Sequence, residues 1–242
     1  MDGMVENKNE RVAIILARGG SKRIPNKNII DFFGKPLLAW TIGAALKTNL
    51  FETVLVSTES EQIAEVALKY GAKVPFLRNA NYDDFSSSSE ATITALKQLK
   101  DWNSKDYKTV VQLMANCPLR TASNIKDQLK LYESFSNRKS IISGFKYGMF
   151  NPWWAHRFDN QGNYSKIFEN NHTKRSQDLP ELICPSGATW ICKTSSLYKE
   201  NTFYSEGYSF YEMGWKEAVD IDDYEDFLFA KAAYMLNNGI VE

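Results

Sequence analysis

Leu16-Ala17-Arg18-Gly19-Gly20-Ser21-Lys22-Arg23-Ile24-Pro25-Asn26-Lys27-Asn28 is the stretch on which the reading of this chain turns. It follows a short apolar run, 12–16, that reads as a buried strand of a parallel sheet. Arg18, Lys22, Arg23 and Lys27 then bring cationic side chains around a glycine pair, with a proline to hold the turn. Adjacent glycines let backbone N–H groups approach an anion without interference from a Cβ. Arginine offers phosphate a planar fork of donors, and lysine a mobile point charge. A strand opening into such a loop is suited to a polyphosphate. The alternative is a solvated basic surface loop, but surface charge runs rarely sit at a strand end beside paired glycines.

Two familiar phosphate motifs are excluded. Walker A ends in Gly-Lys-Ser/Thr, and Gly20-Ser21-Lys22 has another order. The dinucleotide fingerprint needs three glycines at G-x-G-x-x-G spacing, and only an adjacent pair is present. The order Leu-Ala-Arg-x-x-Ser-Lys-x-x-Pro-x-Lys-Asn instead resembles the first motif of the acylneuraminate cytidylyltransferases, the CMP-sialic acid synthetases and their relatives for other nine-carbon keto acids. The resemblance runs from about residue 11 to 236. It implies a nucleotide-diphospho-sugar transferase-like fold and a nucleotide site formed by Leu16, Ala17, Arg18, Gly19, Gly20, Ser21, Lys22 and Asn28.

Composition is compatible with this. The 242 residues are 43% hydrophobic, enough for one α/β domain with a substantial core. Lys plus Arg and Asp plus Glu balance at 29 each, so neither a nucleic-acid nor a membrane surface is indicated, and the positive charge is local. Cys117, Cys184 and Cys192 lack metal-ligand spacing and follow no secretory signal, which predicts reduced thiols in a cytoplasm. No apolar run reaches the roughly 18 residues that cross a bilayer.

Strand and helix patterns alternate through the first half. Strands are expected at 12–16, 53–57, 110–114 and 140–144, and helices at 36–48, 61–70, 89–102 and 123–135. This rhythm predicts an α/β fold, a doubly wound and mostly parallel sheet with helices on both faces. The first ten residues are polar and expected to be disordered, leaving 11–242 as one nucleotidyltransferase domain. The rhythm breaks at about 147, and 147–182 reads as an inserted arm rich in aromatic and polar residues. Strands at 188–192 and 217–221 and a helix at 224–236 follow.

Val219-Asp220-Ile221-Asp222-Asp223 is the second strong feature. On a strand, Asp220 and Asp222 share a face while Ile221 enters the core, and two hard carboxylates on one side suit Mg²⁺ bound to phosphate oxygens. Asp223 takes the other face or the N-terminus of the next helix. An acidic cluster before a helix is often only a cap; beside the basic loop, it resembles the metal-binding motif of these synthetases. Ser57-Thr58, followed by Glu59, ends a strand where the crevice of an open α/β sheet lies. Arg78 resembles a family arginine near the nucleotide, with a surface arginine as the alternative.

Arg175-Ser176-Gln177-Asp178-Leu179-Pro180 resembles an Arg-x-Gln-x-Leu-Pro segment of the sugar-acid site, placing Arg175 and Gln177 at the substrate, Arg175 in its own or a partner subunit. Pro185-Ser186-Gly187-Ala188 stands where the family has Pro-Asn-Gly-Ala. Two departures fall on the sugar side. Met114 occupies the place of a glutamine, and a thioether replaces neither its donor nor its acceptor. Asn151-Pro152-Trp153-Trp154 replaces a segment that carries a lysine in the sialic acid enzymes. Legionaminate- and pseudaminate-activating relatives also lack the glutamine, and Trp153, Trp154, Phe203 and Tyr204 offer apolar walls for their acetamido and deoxy groups. Such aromatics are otherwise core or subunit contacts. His156 and His172 have no spaced partner for a triad or metal site, and Cys117 has no histidine placed to activate it.

The resemblance thus implies a cytidylyltransferase joining CTP to a nonulosonic acid, with Arg18, Lys27, Asp220 and Asp222 catalytic. Asp220 and Asp222 would bind Mg²⁺, with Met114, Arg175, Gln177, Phe203 and Tyr204 at the sugar. The arm, with Phe150, Trp153, Trp154 and Phe168, predicts a homodimer. The competing readings are a nucleotidyltransferase for another sugar, such as the eight-carbon acid of lipopolysaccharide, and a non-catalytic nucleotide-binding module.

Overall fold

The structure is a computed structural model and describes residues 7–78, 87–135 and 140–240. In chain order the elements are β1 (Arg11–Leu16), β2 (Asp31–Phe32), β3 (Lys35–Pro36), α1 (Leu37–Thr48), β4 (Thr53–Ser57), α2 (Glu61–Lys69), α3 (Ser88–Asn103), β5 (Thr109–Met114) and α4 (Ala122–Ser134). They continue with β6 (Ser140–Lys146), β7 (His156–Phe158), β8 (Tyr164–Lys166), β9 (Ile183–Lys193), α5 (Thr194–Glu200), β10 (Ser209–Glu212) and α6 (Tyr224–Asn237).

The central sheet has the order β10-β6-β9-β5-β1-β4. β1 runs parallel to β4 and β5, β6 runs parallel to β10, and β9 alone is antiparallel to its neighbours β5 and β6. The mostly parallel α/β architecture expected from the sequence is therefore present. Both faces of β1 are buried, as a strand covered by helices on two sides requires. Ala13 and Ile15 pack with Leu38 and Ile42 of α1 and Ile125 and Leu129 of α4. Val12, Ile14 and Leu16 pack on the other face with Leu96 and Leu99 of α3 and Leu197 of α5. Each such fully buried Leu or Ile contributes about 1.5–3 kcal/mol.

Register places the site. Leu16 pairs with both Ser57 and Met114, so the loops after β1, β4 and β5 emerge together at the carboxyl edge of the sheet. A third cluster joins this edge to the C-terminal helix: Ile24 from the basic loop, Val219 and Ile221 from the acidic segment, and Ala230 and Ala233 of α6 pack with Phe32 and Leu37.

Two expectations are corrected, and two elements went unread. Residues 7–10 are ordered: Asn7 caps a 3₁₀ turn, Lys8–Glu10, and Glu10 accepts the Lys108 N–H at 2.8 Å; residues 1–6 lie outside the described residues, as does Ser86 of the serine cluster. Residues 217–221 form no strand, because a turn closes there with the Ala218 N–H donating to the Gly214 carbonyl at 3.1 Å. The strand of that region is β10, which ends at Glu212 before the expected segment begins, an aromatic edge strand paired with β6. α5, directly after β9, also went unread, its seven residues being too few for a helical period to register.

In 147–182, β7 and β8 pair antiparallel, His156 opposite Lys166, around a turn in which Asp159 accepts the N–H groups of Gln161 and Asn163 at 2.8 and 3.0 Å. Trp153 meets Phe168 edge to face at 4.8 Å and donates its indole N–H to the Pro180 carbonyl at 2.8 Å. Phe150, Phe158 and Tyr164 remain 73–76% exposed.

Candidate active site

The basic loop is anchored by its own sequence. Asn28, buried, donates its side-chain amide to the Arg18 carbonyl at 2.9 Å, which fixes the first cation of the loop relative to the last turn. Ile24-Pro25-Asn26-Lys27 closes a β-turn, Lys27 N–H to Ile24 carbonyl at 3.2 Å, with Asn26 left-handed at φ 54°. Gly19 acts by proximity, and neither glycine of the pair needs a positive φ. A Cβ on Gly19 would stand 3.1 Å from the Cβ of Ser60, whereas Gly20 faces open space. Arg18, Gly20 and Lys22 are exposed, Ser21 is half-buried, and Leu16 and Ala17 are buried beneath them.

The acidic segment meets this loop without being a strand. Ile221 is fully buried, as expected, and its N–H donates to the Asn116 carbonyl at 3.0 Å. Asp220 and Asp222 still converge, because the Asn116 amide nitrogen donates to Asp220, to the Ile221 carbonyl at 3.0 Å and to Asp222 Oδ1 at 3.5 Å. Lys27 Nζ donates to the same two acceptors, Ile221 O at 2.6 Å and Asp222 Oδ1 at 3.0 Å, and Arg23 pairs with Asp222 Oδ2 at 3.0 Å. Asp223 caps α6 in a reciprocal box with Asp226, so its part is structural.

The two carboxylates differ in acidity. Asp220 opens to the cleft on one side and is hemmed in by neighbouring atoms on the others. Desolvation, then the charge of Asp222, pushes its pKa up to about 6. Burial acts on Asp222 in the same direction, but the hydrogen bonds and charges of Lys27 and Arg23 outweigh it and hold that carboxyl below the ordinary range. A carboxylate pair that strains against its own charge suits a divalent cation, and both donors are hard oxygens. Among the described residues no three His, Cys, Asp or Glu side chains gather into a metal cluster. Asp220 and Asp222 would therefore supply two ligands, with phosphate oxygens and water for the rest.

Behind the carboxylates, Met114 ends β5 against Gly187. A Cβ on Gly187 would stand 2.8 Å from Met114 Cγ and 3.4 Å from Asp220 Oδ2, so glycine is required for the methionine to lie beside the aspartate. Arg120, fully buried, donates to the carbonyls of Ala188 and Met114, tying β9 to the β5 end. Cys117 is buried, and desolvation followed by the charge of Asp220 raises its pKa well above the ordinary thiol value, so it is a protonated packing residue.

The sugar-side expectations separate. Met114 lies beside Gly187 and Asp220. Phe203 does not: it is fully buried in the α3 face of the core, its N–H donates to Ser89 Oγ at 3.3 Å, and Trp190 covers its ring at 5.5 Å, so no substrate can touch it. Tyr204, next to it, is 42% exposed and meets Trp190 and Tyr208 edge to face. Arg175 and Gln177 are exposed on the arm and, among the described residues, neither hydrogen-bonds to the basic loop or the aspartates. Arg78 is buried, and its guanidinium pairs with Glu59 at 2.6 Å; Glu59 in turn accepts the Gly19 N–H at 2.6 Å. Of the residues that meet the loop and the aspartates, Asn116 was passed over, and Arg23 and Glu59 were read for charge and place but not for their partners. The available signal was position: each is polar and lies in a loop at the sheet's carboxyl edge.

Residues 12–225 match the model of a family described as cytidylyltransferase. The chain is 37% identical over 235 residues to a pseudaminic acid cytidylyltransferase of Campylobacter jejuni subsp. jejuni, covering 95% of this chain and 98% of the relative. It is 32% identical to a CMP-N,N'-diacetyllegionaminic acid synthase of Legionella pneumophila subsp. pneumophila, over 93% of this chain and 97% of that one. Among solved structures, a CMP:2-keto-3-deoxy-manno-octonic acid synthetase complexed with CTP matches 95% of this chain and 100% of its own with a TM-score of 0.70. At 13% identity that likeness concerns the fold alone.

Proposed function

This chain belongs to the cytidylyltransferase family, and from that premise we infer that it joins CTP to a nonulosonic acid, giving a CMP-sugar and pyrophosphate. The observation that carries the reading is the meeting of the polycationic loop and the carboxylate pair, Lys27 Nζ lying 3.0 Å from Asp222 Oδ1. A nucleotide triphosphate needs the first, and a charge-neutralised attack on its α-phosphorus needs the second. Transfers of this kind rely on positioning and electrostatics more than on covalent chemistry. The anomeric hydroxyl of the sugar attacks the α-phosphorus and gives up its proton to water, the bond to the bridging oxygen breaks, and pyrophosphate leaves. Arg18, Lys22 and Lys27 take up the charge of the triphosphate and of the departing pyrophosphate. Asp220 and Asp222 would hold Mg²⁺, which would supply charge neutralisation at phosphate oxygens and a lowered pKa for the attacking hydroxyl.

The sugar we propose is a 5,7-diacetamido nonulosonic acid. Met114 beside Gly187 and Asp220 gives the sugar side a thioether where a hydrogen-bonding amide would suit hydroxyls. The names of the relatives at 37% and 32% identity point the same way. The exposed aromatics of the arm support a homodimer in which Arg175 completes the partner's sugar site. The three free thiols support a reducing, cytoplasmic setting, and among the described residues no helix is long and apolar enough to cross a membrane.

Pyrophosphate release from CTP, measured with pseudaminate, legionaminate, N-acetylneuraminate and the eight-carbon acid, tests the function. Release with a nine-carbon acid is expected. Release with the eight-carbon acid alone, or with none, would overturn it.

A further inference from the structure

Glu59 places a negative charge beside a loop built to receive a triphosphate, and its surroundings are too well organised for a solvated side chain. β4 ends at Ser57, and the following turn is capped twice. The Thr58 hydroxyl accepts the Ser60 N–H at 3.1 Å, and the Ser60 hydroxyl accepts the Ile63 N–H at 3.4 Å to start α2. Between these caps the Glu59 carboxylate divides its two oxygens. Oε1 accepts the Gly19 N–H and Oε2 the Arg78 guanidinium, each at 2.6 Å. Arg78 is held independently, its backbone N–H donating to the Thr58 carbonyl at 2.8 Å. The loop can come this close because Gly19 has no Cβ to press on Ser60. One carboxylate thus ties the phosphate loop, the β4–α2 turn and Arg78 together. Although burial opposes it, the Gly19 and Arg78 contacts hold its pKa below the ordinary value, so the carboxylate stays ionised near neutrality.

We propose that Glu59 is a positioning residue for CTP: it fixes the loop backbone at Gly19 and orients the Arg78 guanidinium before the nucleotide arrives. Its like charge would oppose a triphosphate, but Arg78 neutralises it, and what remains is a preformed loop that loses little further freedom on binding. The inference rests on the CTP reading of this cleft, which wild-type binding tests separately.

Glu59→Gln is the discriminating variant. Its amide oxygen still accepts the Gly19 N–H, while its amide NH₂ confronts the Arg78 donors. Calorimetry with CTP, steady-state kinetics with each substrate, thermal unfolding and amide exchange over residues 18–22 would be read together. The expected result is a CTP Kd and KM raised about tenfold, with KM for the sugar acid and Tm unchanged and exchange of the unliganded loop faster. Glu59→Asp, which keeps the charge, should recover part of the loss. Arg78→Met should add little to Glu59→Gln, since the two act as one unit. Unchanged or tighter CTP binding by Glu59→Gln would overturn the proposal, as would equal losses for both substrates with a lowered Tm. Absence of CTP binding by the wild type would overturn the cleft reading itself.

Discussion

The basic loop and the aromatic arm are both surface segments rich in polar residues, yet they are held in opposite ways. The loop is tied inward at several points along its length: Gly19 to Glu59, Arg18 to Asn28, Ile24 into the core beneath α6, and Lys27 to the aspartate segment. The arm is tied chiefly to itself, by the β7–β8 pairing and the Trp153–Phe168 contact, and it leaves Phe150, Phe158 and Tyr164 exposed. A rigid anion cradle must be present before a highly charged ligand arrives, because preorganised donors cost no reorganisation. An exposed aromatic hairpin is incomplete without another apolar surface. The proposed dimer would therefore build the nucleotide half of the site within one chain and leave the sugar half open toward a second.

The sharpest way to break this division is at the carboxylates, where the halves meet. Asp220→Asn and Asp222→Asn are each expected to lower kcat by at least about a hundredfold, through lost charge neutralisation in the transition state. Circular dichroism should show the fold intact. Near-normal turnover by both variants at saturating CTP would remove them from the chemistry. Asp222→Asn should also loosen Lys27 and Arg23, since both pair with that carboxylate.

Next in size is Arg175. Alone, Arg175→Ala should lower kcat/KM for the sugar by about tenfold or more, the loss of one charge-assisted contact. Mixed with Asp222→Asn chains it should regain activity, because the mixed dimer contains one site with both residues intact. A fully active monomer at micromolar concentration, seen by sedimentation, would show instead that one chain builds both halves.

On the loop, Arg18→Ala and Lys27→Ala should each weaken CTP binding by about tenfold while KM for the sugar stays near wild type. Calorimetry with CTP measures this, and CTP affinity equal to wild type would remove that residue from phosphate binding. N-acetylneuraminate should be turned over less efficiently than a diacetamido acid by a factor near ten, since hydroxyls desolvated against Met114 lose about 1–3 kcal/mol each. A preference for N-acetylneuraminate would refute the sugar assignment.

The smallest effect on activity is expected at Phe203. Phe203→Ala should lower stability by about 3 kcal/mol, as for other large-to-small core changes. KM for either substrate should hold, because the ring never reaches the cleft. A selective rise in the sugar KM would restore it to the site.

Much of this was legible in the chain. The apolar run of β1 followed by glycines and cations, the helix of α1 closing before Asn49, and the Asp-Ile-Asp alternation are local patterns, and local patterns report local geometry. Ile221 went into the core as its place between two aspartates required. The aspartates converged for a different reason than strand alternation: the Asn116 amide, a hundred residues away in sequence, lies between them. Phe203 and Tyr204 show the limit of composition, for adjacent aromatics of like character took a core and a surface position.

By itself the sequence determined which segments carry charge, which strands are buried on both faces, and where the basic loop begins. These follow from side-chain chemistry at fixed short spacings along the backbone. Tertiary structure alone decided which carboxylate is neutralised by Lys27 and Arg23, which is left crowded and pushed toward protonation, and that Glu59 holds Gly19. Those outcomes depend on distances of about 3 Å between residues far apart in the chain, and electrostatic and hydrogen-bond energies change steeply over that range.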